Sequence, residues 1–321
     1  AEEQALHSIS ILDPSILEMG RDWHRAETSQ WLPSSMGGRG GRGSTLQPHA
    51  ASARIYSMSK SATHPRRSYD HLDAYGTSLQ VVTWVDHTIH GFTQSVSAVD
   101  HLVRASEGIV ESIANGTSRT SRDARRRYLE FATGSILECA ACVDILQCRT
   151  LIASSQAQDG KLLLHDLMNL TMGLRDLPVD RIQESAAPYG AQSPGAAREV
   201  LFDHEKLDAY QLALHFIPWL DGVFKDSHVS RRHVVTLDKS TTSTVLNIAE
   251  GNGRFSPADR RSFLCTSLDA LVKTSTTLDI LHAKQQVETR FLDTGKPMLE
   301  RLRYVIEGLV RYVDSKTRYG T

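Results

Sequence analysis

The chain repeats itself at a fixed offset. Leu72-Asp73-Ala74-Tyr75 returns 135 residues later as Leu207-Asp208-Ala209-Tyr210. The same offset carries Trp84 onto Trp219, Asp86 onto Asp221, and Ile113-Ala114-x-Gly116 onto Ile248-Ala249-x-Gly251. It continues through Arg119/Arg254, Ser121/Ser256, Arg125-Arg126/Arg260-Arg261, Asp144-Ile145-Leu146/Asp279-Ile280-Leu281 and Gly160-Lys161/Gly295-Lys296. Without a gap, 28 of the 103 positions in 72–174 match their counterparts in 207–309. Composition alone would give roughly 6% at one register. A duplication of this length fixes the architecture as one supersecondary unit used twice.

The organisation follows from the repeat. Residues 1–68 lie outside it as a basic, Gly/Ser/Arg-rich arm, and 69–176 form the first unit. Residues 177–200 are a Pro/Ala linker holding Pro178, Pro188 and Pro194, and 201–316 form the second unit. Proline at this density, with Gly and Ala, is the composition of a solvated connector.

Each unit reads as four amphipathic helices of about 16–26 residues. In the second, a helix from near Asp203 carries Leu207, Tyr210, Leu214 and Ile217 at three- and four-residue spacing, with Pro218 as a candidate kink. The next is expected to close at Gly251, the residue type that takes a left-handed terminus most readily. Ser256, Pro257 and Asp259 mark a new start as cap, first helical residue and first-turn acid. Leu264, Leu268, Leu271, Ser275 and Leu278 then make one stripe, matched by Leu129, Thr133, Ile136, Ala140 and Val143. The fourth helix is expected after Gly295 and Pro297, with Leu299, Leu302, Ile306 and Leu309, against Leu164, Leu167, Leu170 and Leu174. No segment alternates like a half-buried strand. The expected fold is all-α, two tandem up-down four-helix bundles preceded by a flexible arm.

Charge and cysteine content narrow the function classes. The 321 residues hold 36 Lys+Arg against 37 Asp+Glu, so bulk positive charge does not hold this chain on nucleic acid. No apolar run reaches the roughly 18–20 residues of a membrane span. Four cysteines, Cys139, Cys142, Cys148 and Cys265, are too few and too clustered for a disulfide framework and suit a reducing, cytoplasmic setting. A start at Ala1 rather than Met points to processing or cutting.

The stretch Asn247-Ile248-Ala249-Glu250-Gly251-x-Gly253-Arg254-x-Ser256 resembles the turn motif of the four-helix-bundle proteins encoded in intervening sequences of 23S rRNA. That family includes the accessory protein of diversity-generating retroelements. Its members open with Leu-x-x-Tyr-x-x-Ala, carry the Asn-Ile-Ala-Glu-Gly-x-Gly-Arg-x-Ser turn, then Phe-Leu and a Gly-Ser-x-x-Glu in helix three. The second unit keeps the opening at Leu207–Ala213, the whole turn, and Phe263-Leu264. It has Asp269-Ala270-Leu271-Val272-Lys273 in place of Gly-Ser-x-x-Glu. The first unit does the reverse: its turn is worn to Ser112-Ile113-Ala114-Asn115-Gly116-Thr117-Ser118-Arg119, and Gly134-Ser135-Ile136-Leu137-Glu138 survives. The resemblance implies bundles that assemble, in rings of five, and a basic accessory role beside a reverse transcriptase and its RNA. The complementary loss of motif halves predicts two specialised units, a fused heterodimer rather than a repeated module.

Two segments are candidates for nucleic acid. Arg119, Arg122, Arg125, Arg126 and Arg127 crowd the start of helix three in the first unit, and Arg254, Arg260 and Arg261 in the second. Arginine is unfavourable at a helix amino terminus, whereas its fork suits phosphate oxygens. The plain alternative is a solvated face with internal salt bridges, in which Arg119 and Arg254 tie down their turns. The second segment is the arm: no acid occurs from Thr28 to Tyr69, and Arg39 and Arg42 sit in a Gly-Arg tract of the kind that associates with RNA.

Other constellations read as structural. Asn247, Glu250, Gly251, Gly253 and Ser256 belong to the turn motif, and an acid/base role for Glu250 with Asn247 is set aside. Cys139-x-x-Cys142 lacks a second zinc-type pair, and His87-x-x-His90 lacks the Glu-x-x-His of di-iron bundles. No phosphate loop or nucleophile elbow occurs. The expectation is a non-enzymatic binding or scaffold subunit without metal, cofactor or small-molecule substrate. It would be associated with RNA or a ribonucleoprotein and would self-associate or join other protein subunits. The alternative is a purely structural assembly protein with no nucleic-acid role.

Overall fold

The computed structural model describes residues 69, 71–93, 96–176 and 200–319. The arm, with Arg39 and Arg42, and the linker over 177–199 lie outside the described residues. Among those described are eight α-helices and no strand. They are α1 (Asp73–Ile89), α2 (Ser97–Thr117), α3 (Arg122–Cys148) and α4 (Ser154–Asp176), then α5 (Asp208–Asp226), α6 (Arg231–Gly253), α7 (Pro257–Ala283) and α8 (Thr289–Tyr319). A 3-10 turn, Asp203–Lys206, precedes α5.

Each set of four closes on itself. Helices α1, α2, α3 and α4 contact one another in cyclic order, and so do α5, α6, α7 and α8, which makes two up-down bundles. The predicted stripes form the cores: Leu129, Ile136, Ala140 and Val143 are buried in the first, and Leu264, Leu271 and Leu278 in the second. Ser121 and Ser256 accept the backbone N–H of Ala124 and Asp259, both at 3.4 Å, and so cap α3 and α7 as expected.

Several local expectations are corrected. The helix expected from Asp203 is split, because Leu207 is extended (ψ 127°) and separates the 3-10 turn from α5. Pro218, the candidate kink, lies inside α5, which continues to Asp226. Gly295 and Pro297 lie inside α8 rather than before it. Gly251 does not close α6 in a left-handed conformation, and the helix continues to Gly253. Among the described residues, the non-glycine left-handed positions sit one connection later, at the repeat-equivalent Thr150 (φ 54°) and Gln285 (φ 56°). There Leu151 N–H donates to Leu146 O and Gln286 N–H to Leu281 O, the six-to-one bond of a Schellman terminus.

Glycines serve close approach instead. Gly160 in α4 lies against the Trp84 ring, and Gly295 in α8 against the Trp219 ring, so both bundles pair their first and fourth helices through a Trp-on-Gly contact. A methyl group on Gly295 would overlap the rigid indole. Removing a mid-helix glycine gains about 0.5–1 kcal/mol, but overpacking a formed core costs about 1–3 kcal/mol. Gly295→Ala is therefore expected to lower stability despite its better helix propensity. Urea unfolding followed by far-UV circular dichroism measures the midpoint.

Candidate nucleic-acid interface

The two bundles meet along a seam made by α3 with α6, α5 and the amino-terminal end of α2. The faces that meet are not the same face used twice. α3 is the third helix of its bundle and α6 the second of its own, so the contact is heterologous. The seam explains where the motif halves survive. A Cβ at Gly253 would strike Leu137, and one at Gly134 would lie 2.8 Å from the Arg254 guanidinium. The turn kept by the second unit thus packs on the Gly-Ser-x-x-Glu kept by the first.

Polar groups cluster along this seam. Arg254 donates to Glu250 at 2.9 Å and lies 4.4 Å over the Phe263 ring. His101 bonds Glu138 at 2.7 Å. Burial, with the Glu138 carboxylate nearby, pushes the Glu250 carboxyl up to about 7 against the pull of Arg254. Further along, Asp238 accepts the Ser97 N–H at 2.7 Å and so caps α2 from the other bundle. Arg149 donates to the same carboxylate at 2.6 Å and pairs with Asp221 at 3.4 Å. Asp144, Lys161, Glu205 and Tyr210 form a third cluster in which Tyr210 donates to Asp144 at 2.8 Å.

The basic rim lies at the start of α3. Arg119, Arg122, Arg126 and Arg127 are exposed. Arg119 lies over the Tyr128 ring and donates to its hydroxyl at 3.0 Å, and Arg127 lies over Phe131. Arg126 pairs with Glu130 at 3.0 Å. The end of α4 adjoins them. Asp176 is held below the usual carboxylate range by its bond to Arg175, helped by Arg126 and Arg122. The Arg175 guanidinium in turn lies 4.1 Å from the centre of the Phe255 ring. Phe131 and Phe255 are 43% and 48% exposed, high for large apolar side chains. The rim therefore sets guanidinium groups against half-exposed aromatic rings, Arg127 on one face of Phe131 and Arg175 on one face of Phe255.

Four of the candidate arginines sit elsewhere. Arg125 is fully buried, because it lies one helical turn before Leu129 on the core stripe. Arg260, its repeat equivalent, donates to Asn252 at 2.7 Å. Arg254 belongs to the seam, and Arg261, though exposed, pairs with Asp314 at 2.8 Å. Asn247 is spent locally on Ser243, and Gly251 admits the Phe263 Cβ at 3.0 Å from where its own would stand. Cys139 and Cys142 are buried in α3, where burial pushes both thiols up. Residues missed by sequence reasoning are Arg175, Phe131 and Phe255, and the seam groups Arg149, Asp238, Asp144 and Lys161. Tyr128 and Phe131 beside the arginines are the signal that could have found the rim, whereas its contact with the end of α4 has no local pattern.

These features define a class: an all-α protein of two four-helix bundles joined by a polar, glycine-lined seam. Residues 70–173 match the family model described as 23S rRNA-intervening sequence protein. The match supports the family read from the motif, and the first bundle carries it although the more complete turn is in the second. The chain matches none of the curated proteins and none of the solved structures with which it was compared. No described helix is long and apolar enough to cross a membrane.

The Glu250 carboxyl yields a signed pH prediction. Its proton is held more firmly in the folded chain than in the unfolded one. The stability this gives is fully present below about 4.5 and fades as pH rises through about 7. Glu250→Gln removes the charge at every pH. The Tm of that variant relative to the parent is expected to rise from about pH 5 to about pH 8, as measured by thermal circular dichroism.

Proposed function

We propose that the chain is a non-enzymatic binding subunit that holds single-stranded RNA on the rim at the start of α3. The observation that carries this reading is the interleaving of exposed Arg119, Arg122, Arg126 and Arg127 with the half-exposed rings of Phe131 and Phe255, the second backed by the largely buried Arg175. Guanidinium groups neutralise phosphates, and exposed rings accept bases by stacking without selecting sequence. The near-neutral total charge favours a local surface over binding by bulk charge. The family supports an RNA-linked, non-catalytic role, and a ribonucleoprotein or a reverse transcriptase is the proposed setting, in the cytoplasm.

A second reading is favoured by α7. Val272 and Ile280 are 53% and 46% exposed, whereas their repeat equivalents Leu137 and Ile145 are buried in α3. A scaffold that takes another protein subunit along α7, with no nucleic acid, accounts for that face.

Filter binding of a single-stranded RNA over a salt series separates the two. The RNA reading expects a log–log slope steeper than about two released ions. The slope should fall in Arg122→Ala/Arg126→Ala/Arg127→Ala, which spares buried Arg125. Phe255→Ala should weaken binding about 5- to 100-fold at constant slope, the worth of one stacked base. Undetectable binding by the folded parent overturns the RNA reading and leaves the scaffold.

A further inference from the structure

The third seam cluster holds more donors than its own groups satisfy. His204 in the 3-10 turn is fully buried, and neither of its ring nitrogens has a hydrogen-bond partner among the described residues. The ring is stacked on Phe202 and set edge-on to Tyr210, centroids 5.6 and 4.6 Å away. A neutral imidazole in such a setting offers one free lone pair. Native structures seldom leave a buried polar group in this state, and each such group costs about 1–3 kcal/mol.

Two carboxylates lie beside it. One ligand atom each from Asp144, His204 and Glu205 lies within 4.8 Å of the others. Both acids are oriented from outside, Asp144 by the Tyr210 hydroxyl at 2.8 Å and Glu205 by the Phe202 N–H at 3.2 Å. Supporting bonds of this kind fix metal ligands in direction. The Lys161 ammonium now stands between the acids, 2.9 Å from Asp144 and 3.0 Å from Glu205. Two carboxylates against one ammonium leave a net charge of about −1 in a buried site. The ammonium serves two of the three donors and cannot serve all of them with one dication's charge.

We propose that Asp144, His204 and Glu205 bind a divalent transition ion, zinc by the nature of the donors, which displaces the Lys161 ammonium and fastens the second bundle to the first. One imidazole nitrogen and two carboxylate oxygens are a zinc-type set with a fourth position open. A dication neutralises both acids and gives one of the two His204 nitrogens a partner. Lys161 keeps 12% of its side chain exposed on a flexible stem, which is the way out for the ammonium and the way in for the ion. The repeat supplies an internal contrast. Asp279 and Lys296, the equivalents of Asp144 and Lys161, form a more exposed pair at 2.6 Å. The residues equivalent to His204 and Glu205 are Tyr69 and Asp70, so the imidazole is special to the seam.

The test uses the full untagged chain titrated with cobalt(II), followed by visible absorption, with zinc as competitor. One cobalt per chain with d–d bands, displaced by zinc and lost in His204→Ala, is the expected result. Tyr210→Phe should weaken binding about tenfold through the lost supporting bond. Lys161→Met, which removes the cation that competes for both carboxylates, should tighten binding, and does not depend on the fold of the His204 variant. Absence of saturable binding, binding that survives in a folded His204→Ala variant, or binding no tighter in Lys161→Met overturns the proposal.

Discussion

The close packing of α3 on α6 sets everything else in this structure. Two glycines make it, and each is needed for a different neighbour. Gly253 lets the Leu137 side chain reach the backbone of α6, and Gly134 leaves room for the Arg254 guanidinium against α3. A Cβ at either place would displace the Leu137 or the Arg254 side chain from the polar groups packed between the helices. Those groups include the Arg254–Glu250 and His101–Glu138 pairs, whose worth depends on remaining half-buried. Packing comes first here, and the electrostatics inherit their strength from it.

The seam's polar clusters are also high-stakes, because a buried charge that loses its partner destabilises far more than the intact pair stabilises. Arg149 illustrates this: with 6% of its side chain exposed, it is held by Asp238 and Asp221 at once. Asp238 in turn closes the amino terminus of α2. A single carboxylate of the second bundle thus completes a helix of the first. The two bundles share hydrogen bonds that neither could satisfy alone, which is how one compact unit arises from two copies of a repeat.

Much of this was legible before any coordinates. The offset of 135 gave the duplication, and the stripes through Leu129 and Leu264 gave the helix faces, because periodicity reports burial within a bundle. Periodicity is silent about burial between bundles. Arg125 shows the limit from one side, as a charged residue on a core stripe that composition read as a phosphate ligand. Arg149, Asp238 and Ser97 show it from the other, since 141 residues separate the last two and no local pattern joins them. His204 and Asp144 were likewise too far apart in the chain for any ligand spacing to reveal them. The glycines misled for a related reason. Gly251 was read as a left-handed terminus, whereas its missing Cβ is used for contact with Phe263.

A heterologous contact could in principle be repeated, since the second bundle still has an outer α7 face and the first an outer α2 face. The residues on those faces no longer match the seam. Where α3 has Gly134 and Glu138, α7 has Asp269 and Lys273. Where α6 has Thr242, Leu246 and Gly253, α2 and its end have Glu107, Glu111 and Ser118. A further copy docking by the same rule would set Asp269 and Ser118 at the two places where the seam has a glycine. Yet Val272 and Ile280 keep α7 apolar at the positions of Leu137 and Ile145. The complementary loss of motif halves is therefore the loss of those halves that face away from the seam. What remains on α7 is an apolar strip with altered charges, a surface suited to a different neighbour rather than to a second copy of the first bundle's partner.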